Sequence, residues 1–180
     1  MAKARTIPGL GDDDPYARVA AAVVATRAEE LIEHSAGVLD IADIERVHAM
    51  RVATRRLRAS LEVFEPCFPR KPYKRALREV KALADALGER RDRDVAILAL
   101  AGFSAAVGEA DRPGVEDLIA RLRAGQQQAN LELEPSVLPE RLAELSAQLD
   151  RLVAAARALA AQGPGDGDSD DNGDRPGSPR

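Results

Sequence analysis

The sequence has one cysteine, no tryptophan and few aromatic residues. Each shortage removes a class of function. A lone Cys67 cannot form an intrachain disulfide, and no Cys/His spacing of the zinc-binding kind accompanies it. Single-stranded nucleic acid is usually held on aromatic stacking platforms. Here Tyr16, Phe64, Phe68, Tyr73 and Phe103 do not interleave with the cations. No glycine-rich phosphate loop is present to cradle a nucleotide. Long β-branched runs are missing while alanine and leucine dominate, a mixture that favours helices over strands. No apolar run approaches membrane-spanning length, and the N-terminal MAKARTIPGLGDDDP lacks the apolar core of a signal peptide. The expected compartment is therefore the cytoplasm.

What is present is 45% apolar residues, enough for one domain with a real core, and a net charge of −4. Net acidity by itself argues against a nucleic-acid or membrane-surface protein. The charge is unevenly placed, however. Residues 46–93 hold 14 Lys/Arg against 6 Asp/Glu, a balance of +8; the remainder holds 12 against 24, a balance of −12. A basic centre sits inside an acidic chain.

Residues 1–11 read as a flexible N-terminus and residues 12–162 as one helical domain. Residues 163–180, rich in Gly, Pro and Asp, read as a disordered acidic tail. A tail folding back as a polyanion mimic is the weaker alternative to a solubilising one. Acidic residues before Pro15 mark a helix start, Tyr16 to Ala36 reads as the first helix, and Gly37 as its stop. Asp40 or Asp43 can cap a second helix, and Pro66, Pro69 and Pro72 form a stiff loop after it. A third helix, Tyr73 to Leu87, is expected to close at Gly88, with Asp92 capping the next. Residues 95–107 are strongly apolar and should form a largely buried fourth helix. A fifth runs from about Val115 to Leu131, stopped by Pro135 and Pro139. A sixth covers about Glu140 to Ala161. The fold class is all-α, a bundle of about six helices.

The centre of this arrangement is VHAMRVATRRLRASLEVF, residues 47–64. At 100° per residue, His48, Arg51, Arg55 and Arg58 fall within an arc of roughly 80°. Met50, Leu57, Leu61 and Phe64 lie on one side of it, and Val52, Ala59 and Val63 on the other. Arg56 lies roughly 120° from the row's centre, a position suited to structure or to the rim of a groove. The third helix adds Lys74, Arg78 and Lys81 in one row, with Asp85 placed to pair with a cation. Arginine forks and lysine charges at helical spacing suit phosphate. Two such rows side by side suit a linear polyanion. A solvated, salt-bridged helix face is the alternative. Duplex DNA also remains open to any basic helix, but no helix-turn-helix spacing surrounds this one, which speaks against specific nucleic-acid binding. His48 is in register with the arginines. As a phosphate contact it would strengthen binding as pH falls. Asp92 and Asp94 read better as a cap and an arginine-orienting group than as metal ligands. Clustered carboxylates for Mg²⁺ and a nucleophile–base pair are missing, so no catalysis, metal or cofactor is expected.

The pattern H-x-x-R-x-x-x-R-R-x-R, then K-x-x-L-R, then L-G-x-x-R-D-x-D-V resembles the CHAD domain, the conserved-histidine α-helical domain. It stands here as His48, Arg51, Arg55, Arg56 and Arg58, then Lys74, Leu77 and Arg78, then Leu87, Gly88, Arg91, Asp92, Asp94 and Val95. The resemblance implies an all-helical module that binds inorganic polyphosphate along a basic channel, without catalysis of its own. His48, Arg51, Arg55, Arg56, Arg58, Lys74, Arg78, Lys81 and Arg91 are the contacts it implies. It also implies association with polyphosphate granules, or with a CYTH-type triphosphatase in trans. Complete members carry two pseudo-symmetric helical halves, and this chain shows one His/Arg helix, corresponding to the first half or more. A homodimer that supplies the second wall is therefore expected. An interaction scaffold, or an accessory domain of a triphosphate- or polyphosphate-processing enzyme, is the alternative function.

Overall fold

The computed structural model describes residues 4–162. They form α1 (Tyr16–Glu33), α2 (Ile44–Val63), a 3₁₀ turn (Glu65–Cys67), α3 (Arg70–Ser104), α4 (Arg112–Val137) and α5 (Pro139–Ala161), with no strand among the described residues. The all-α expectation holds. The described residues form five α-helices instead of the six expected because the third and fourth expected helices are one.

Local chemistry explains most boundaries. The Asp43 carboxylate caps α2 by accepting from the Glu45 N–H at 3.2 Å. Asp40 works one turn earlier, accepting from the Ala42 N–H. Gly37 adopts a φ of 69°, the left-handed region that glycine enters at no steric cost. It sits in the α1–α2 turn, with α1 ending just before it at Glu33. Leu138 precedes Pro139 and is extended, with ψ of 142°, so α4 stops at Val137 and Pro139 starts α5.

Two expected breaks fail. Pro135 lies within α4 but only two residues from its end, where the carbonyl it leaves unpaired belongs to the exposed Leu131. Gly88 lies in the middle of α3 with an ordinary helical backbone. Glycine lowers helix propensity by about 1 kcal/mol. That is too little to interrupt a helix whose buried stripe runs on both sides, from Tyr73, Val80 and Leu83 through Leu87 to Arg90 and Asp94. Asp92, expected to cap a new helix, is instead an exposed residue in mid-helix.

The main core joins α1, α2, α5, the first half of α3 and the end of α4. Val24, Leu31, Val47, Met50, Leu57, Leu61, Leu87, Leu133, Leu149 and Leu152 are fully buried in it. Each such side chain contributes about 1.5–3 kcal/mol through burial. On α3 this core ends at Leu87, and on α4 it begins at Leu133. Arg91 still reaches Ile44 of α2 and Asn130 still bonds the Leu39 carbonyl; past those contacts α3 and α4 run on together as a two-helix arm. The N-terminal stretch, expected to be flexible, is tied down at residue 5. The Arg5 N–H donates to Glu30 at 2.5 Å, and its guanidinium bonds Glu29 and Glu33. The expected acidic tail, 163–180, lies outside the described residues.

A methyl group added at Gly88 would meet nothing within 4 Å. Gly88→Ala should therefore stabilise the fold by about 0.5–1 kcal/mol. A urea titration should show the midpoint rising with an unchanged slope.

Candidate functional site

The basic strip is built on α2 and the first half of α3, which run antiparallel. Two contacts fix their register. Near the C-terminal end of α2, the Lys81 ammonium lies 3.2 Å from the Glu62 carboxylate. At its N-terminal end, the Arg91 guanidinium donates to the Ile44 carbonyl at 3.2 Å and lies 3.8 Å from Glu45.

The buried face of α2 consists of Val47, Met50, Ala53, Thr54, Leu57 and Leu61. His48, Arg51, Arg55 and Arg58 lie beside that face, on one flank. His48, Arg51 and Arg58 are half-buried and Arg55 is exposed. The second apolar flank expected from the sequence is not packed: Val63 is 60% exposed and Ala59 is exposed as well. The row therefore runs along the edge of the α2–α3 packing and is not sunk between two covered walls. On α3, Lys74 and Arg78 are exposed and Lys81 is half-buried.

Among the described residues, no side-chain hydrogen bond or ion pair engages Arg51, Arg55, Lys74 or Arg78. Asp85, expected to pair with a cation of its own row, makes no ion pair among the described residues either. That part belongs to Glu62, which the sequence reading missed. It accepts from Arg58 Nε at 3.1 Å as well as meeting Lys81. Those two hydrogen bonds hold its carboxyl below the usual carboxylate range. The i,i+4 spacing of Arg58 and Glu62 was the available signal.

Arg56 is turned away from the row toward α1. Its charge acts on Glu30, a residue 2% exposed that also accepts from Arg27 at 2.7 Å. Burial pushes the Glu30 carboxyl up. The Arg5 N–H, the Arg27 guanidinium and the Arg56 charge outweigh it and hold it below the usual 4.5. Arg27, which spoils the apolar stripe of α1 in the sequence, is thus paired by Glu30.

Of the two acids Asp92 and Asp94, the second takes the arginine-orienting role expected of it. Asp94 is buried, and the arginine it orients is Arg90. Arg90 is wholly buried and its Nη1 bonds both Asp94 oxygens. Gln126 of α4 donates to the same carboxylate at 2.6 Å. Arg90 Nε and Nη2 have no hydrogen-bond partner among the described residues. Among the described residues, no three His, Cys, Asp or Glu side chains are grouped to hold a metal ion. No described helix is long and apolar enough to cross a membrane.

Two stability predictions follow from these pairs. Arg90→Met strands a buried carboxylate and should cost about 3–5 kcal/mol, whereas Arg90→Met with Asp94→Leu should recover most of it; denaturant midpoints of both variants decide this. The Glu30 carboxyl binds its proton more weakly when folded than when unfolded. Its contribution is therefore full above pH 4.5 and lost as pH falls through the folded pKa. Thermal melts should show that acid-side loss flattened in Glu30→Gln.

No curated protein and no solved structure gives a significant match to this chain. The sequence profile of the CHAD domain matches residues 22–174, a span that takes in every element from within α1 to beyond α5. The chain belongs to the CHAD domain family.

Proposed function

We propose that this protein is a non-catalytic module that binds inorganic polyphosphate along the α2–α3 strip. The CHAD family is associated with polyphosphate- and triphosphate-related proteins. The observation that carries the reading for this chain is the state of its cations. In a protein of net charge −4, Arg51, Arg55, Lys74 and Arg78 are left without an acidic partner among the described residues. Away from the strip Arg5, Arg18, Arg27, Arg46, Arg93, Arg121 and Arg141 are each paired with a carboxylate, and Arg112, Arg123, Arg151 and Arg157, which also lack one among the described residues, are not gathered on adjoining helix rows. Unpaired like charges on adjoining helices repel one another, and an anion laid along them removes that cost.

In this reading His48, Arg51, Arg55 and Arg58 form one row of contacts, and Lys74, Arg78 and Lys81 the other. Arg91 fixes the seam and lends its charge, and Arg56 acts through the α1 network. Arginine supplies bidentate bonds to phosphate oxygens and lysine a mobile charge. The strip offers positioned cations with no adjoining carboxylate cluster for Mg²⁺ among the described residues, so binding without turnover is the proposed outcome.

Titration with polyphosphate of defined length, in two salt concentrations, tests this. Affinity should fall steeply with salt through counterion release, and long chains should bind more tightly than short ones. Arg51→Glu, Arg55→Glu and Lys81→Glu together should abolish binding with helical circular dichroism unchanged. Glu62→Gln frees Arg58 and Lys81 and should tighten binding several-fold at low salt. Phosphate release on adding divalent metal would overturn the non-catalytic part. Equal affinity for duplex DNA at matched salt would overturn the ligand.

A further inference from the structure

The distal half of α3 is a helix segment without charge and without cover. Residues 95–104 read VAILALAGFS, and none of them is buried. Ile97, Leu100 and Ser104 are half-buried. They lie on the side that meets α4, which pairs with this segment among the described residues. The opposite side carries Val95, Leu98, Ala99, Gly102 and Phe103, within an arc of roughly 140°. Val95 is 50% exposed, Leu98 62% and Phe103 55%. A solvated helix face carries polar residues. This one has none, so it is built to be covered.

No cover for it lies among the described residues. Residues 163–180, GPGDGDSDDNGDRPGSPR, contain no aliphatic or aromatic side chain beyond proline. We propose that the arm docks on the same arm of a second copy of this chain, antiparallel, so that two helix pairs make a four-helix bundle about a two-fold axis near Ala99.

Two features of the arm single out a second copy. The first is its order of sizes. Ala99 lies midway between Val95 and Phe103. An antiparallel copy crossing at Ala99 sets Val95 of each chain against Phe103 of the other. The small Ala99 and Gly102 then lie at the crossing, where helix separation is set by side-chain size. A face that matches itself in this way gives a closed, isologous contact. The second is charge along α4. Asp111 and Glu116 outnumber Arg112 toward the arm's tip and Arg123 lies toward its base, all exposed, while Asp117 and Arg121 between them pair with each other. Antiparallel pairing brings the acidic tip of one arm to the basic base of the other. Parallel pairing sets like against like.

Light scattering coupled to gel filtration, on the full chain at micromolar concentration, reads the mass directly. The unaltered protein should be a dimer. Leu98→Glu should halve the mass, with circular dichroism unchanged because Leu98 touches little within one chain. Ala99→Cys should form a disulfide-linked dimer on oxidation, while the unaltered protein should not, since Cys67 is buried. A monomeric unaltered protein would overturn the proposal. So would a dimer that Leu98→Glu leaves intact, or an Ala99→Cys dimer that oxidation fails to link. Each readout is independent of polyphosphate.

Discussion

A buried arginine can exist only where something neutralises it. Arg90 and Asp94 set that constraint at the point where the main core ends on α3. One turn apart on the same helix, they bond each other, and Gln126 reaches in from α4 to the same carboxylate. Three N–H groups on Arg90 Nε and Nη2 are left without a partner among the described residues. The pair is therefore a poor source of net stability. Its effect is on geometry. A slip of α4 against α3 would strand a charge in the interior, so the register is fixed there. Both neighbours depend on it: the core below, and the two-helix arm above.

The same helix carries the basic row. Because α3 passes through Gly88 unbroken, Lys74, Arg78, Lys81, Arg91 and the Arg90–Asp94 pair are held in one rigid frame. Arg91 then grips the first turn of α2 through the Ile44 carbonyl. The spacing between the two rows is thus set by backbone and buried contacts. It does not depend on the ligand. If the strip binds a polyanion as proposed, it would lose little backbone freedom on doing so.

Much of this was legible in the sequence. The basic row on α2, the three-residue row on α3 and the helical class follow from periodicity, which burial on α2 obeys closely at Val47, Met50, Leu57 and Leu61. What was not legible had two physical causes. Punctuation residues were given too much weight: Gly88 and Pro135 each cost a helix something, but the buried stripe of α3 and the last turn of α4 tolerate that cost. Tertiary partners were also invisible. The apolar run 95–104 looks like a core helix by composition, yet its covering surface does not lie among the described residues of this chain. Arg90 shows the converse. Its register with Leu83, Leu87 and Asp94 placed it on the buried stripe, and its i,i+4 spacing to Asp94 supplied the partner. Reading every arginine as a surface charge hid both.

The acidic remainder of the chain bears on how a basic strip of this size could select a polyanion. Outside residues 46–93 the balance is −12, against +8 within. At physiological salt the Debye length is about 8 Å, shorter than the roughly 10–12 Å diameter of a helix with its side chains. Carboxylates one helix away are thus largely screened from an anion lying on the strip. They are not screened from one that strays onto the N-terminal side, where residues 1–45 hold 9 Asp/Glu against 4 Lys/Arg. On the proposed reading, those acids do little to weaken binding on the strip and oppose placement on the N-terminal side. On that reading a compact anion would gain only the few cations it touches, whereas a linear one would accumulate them along both rows. The preference for long chains that the proposal expects would then follow from where the charge lies, with no pocket required to measure the ligand.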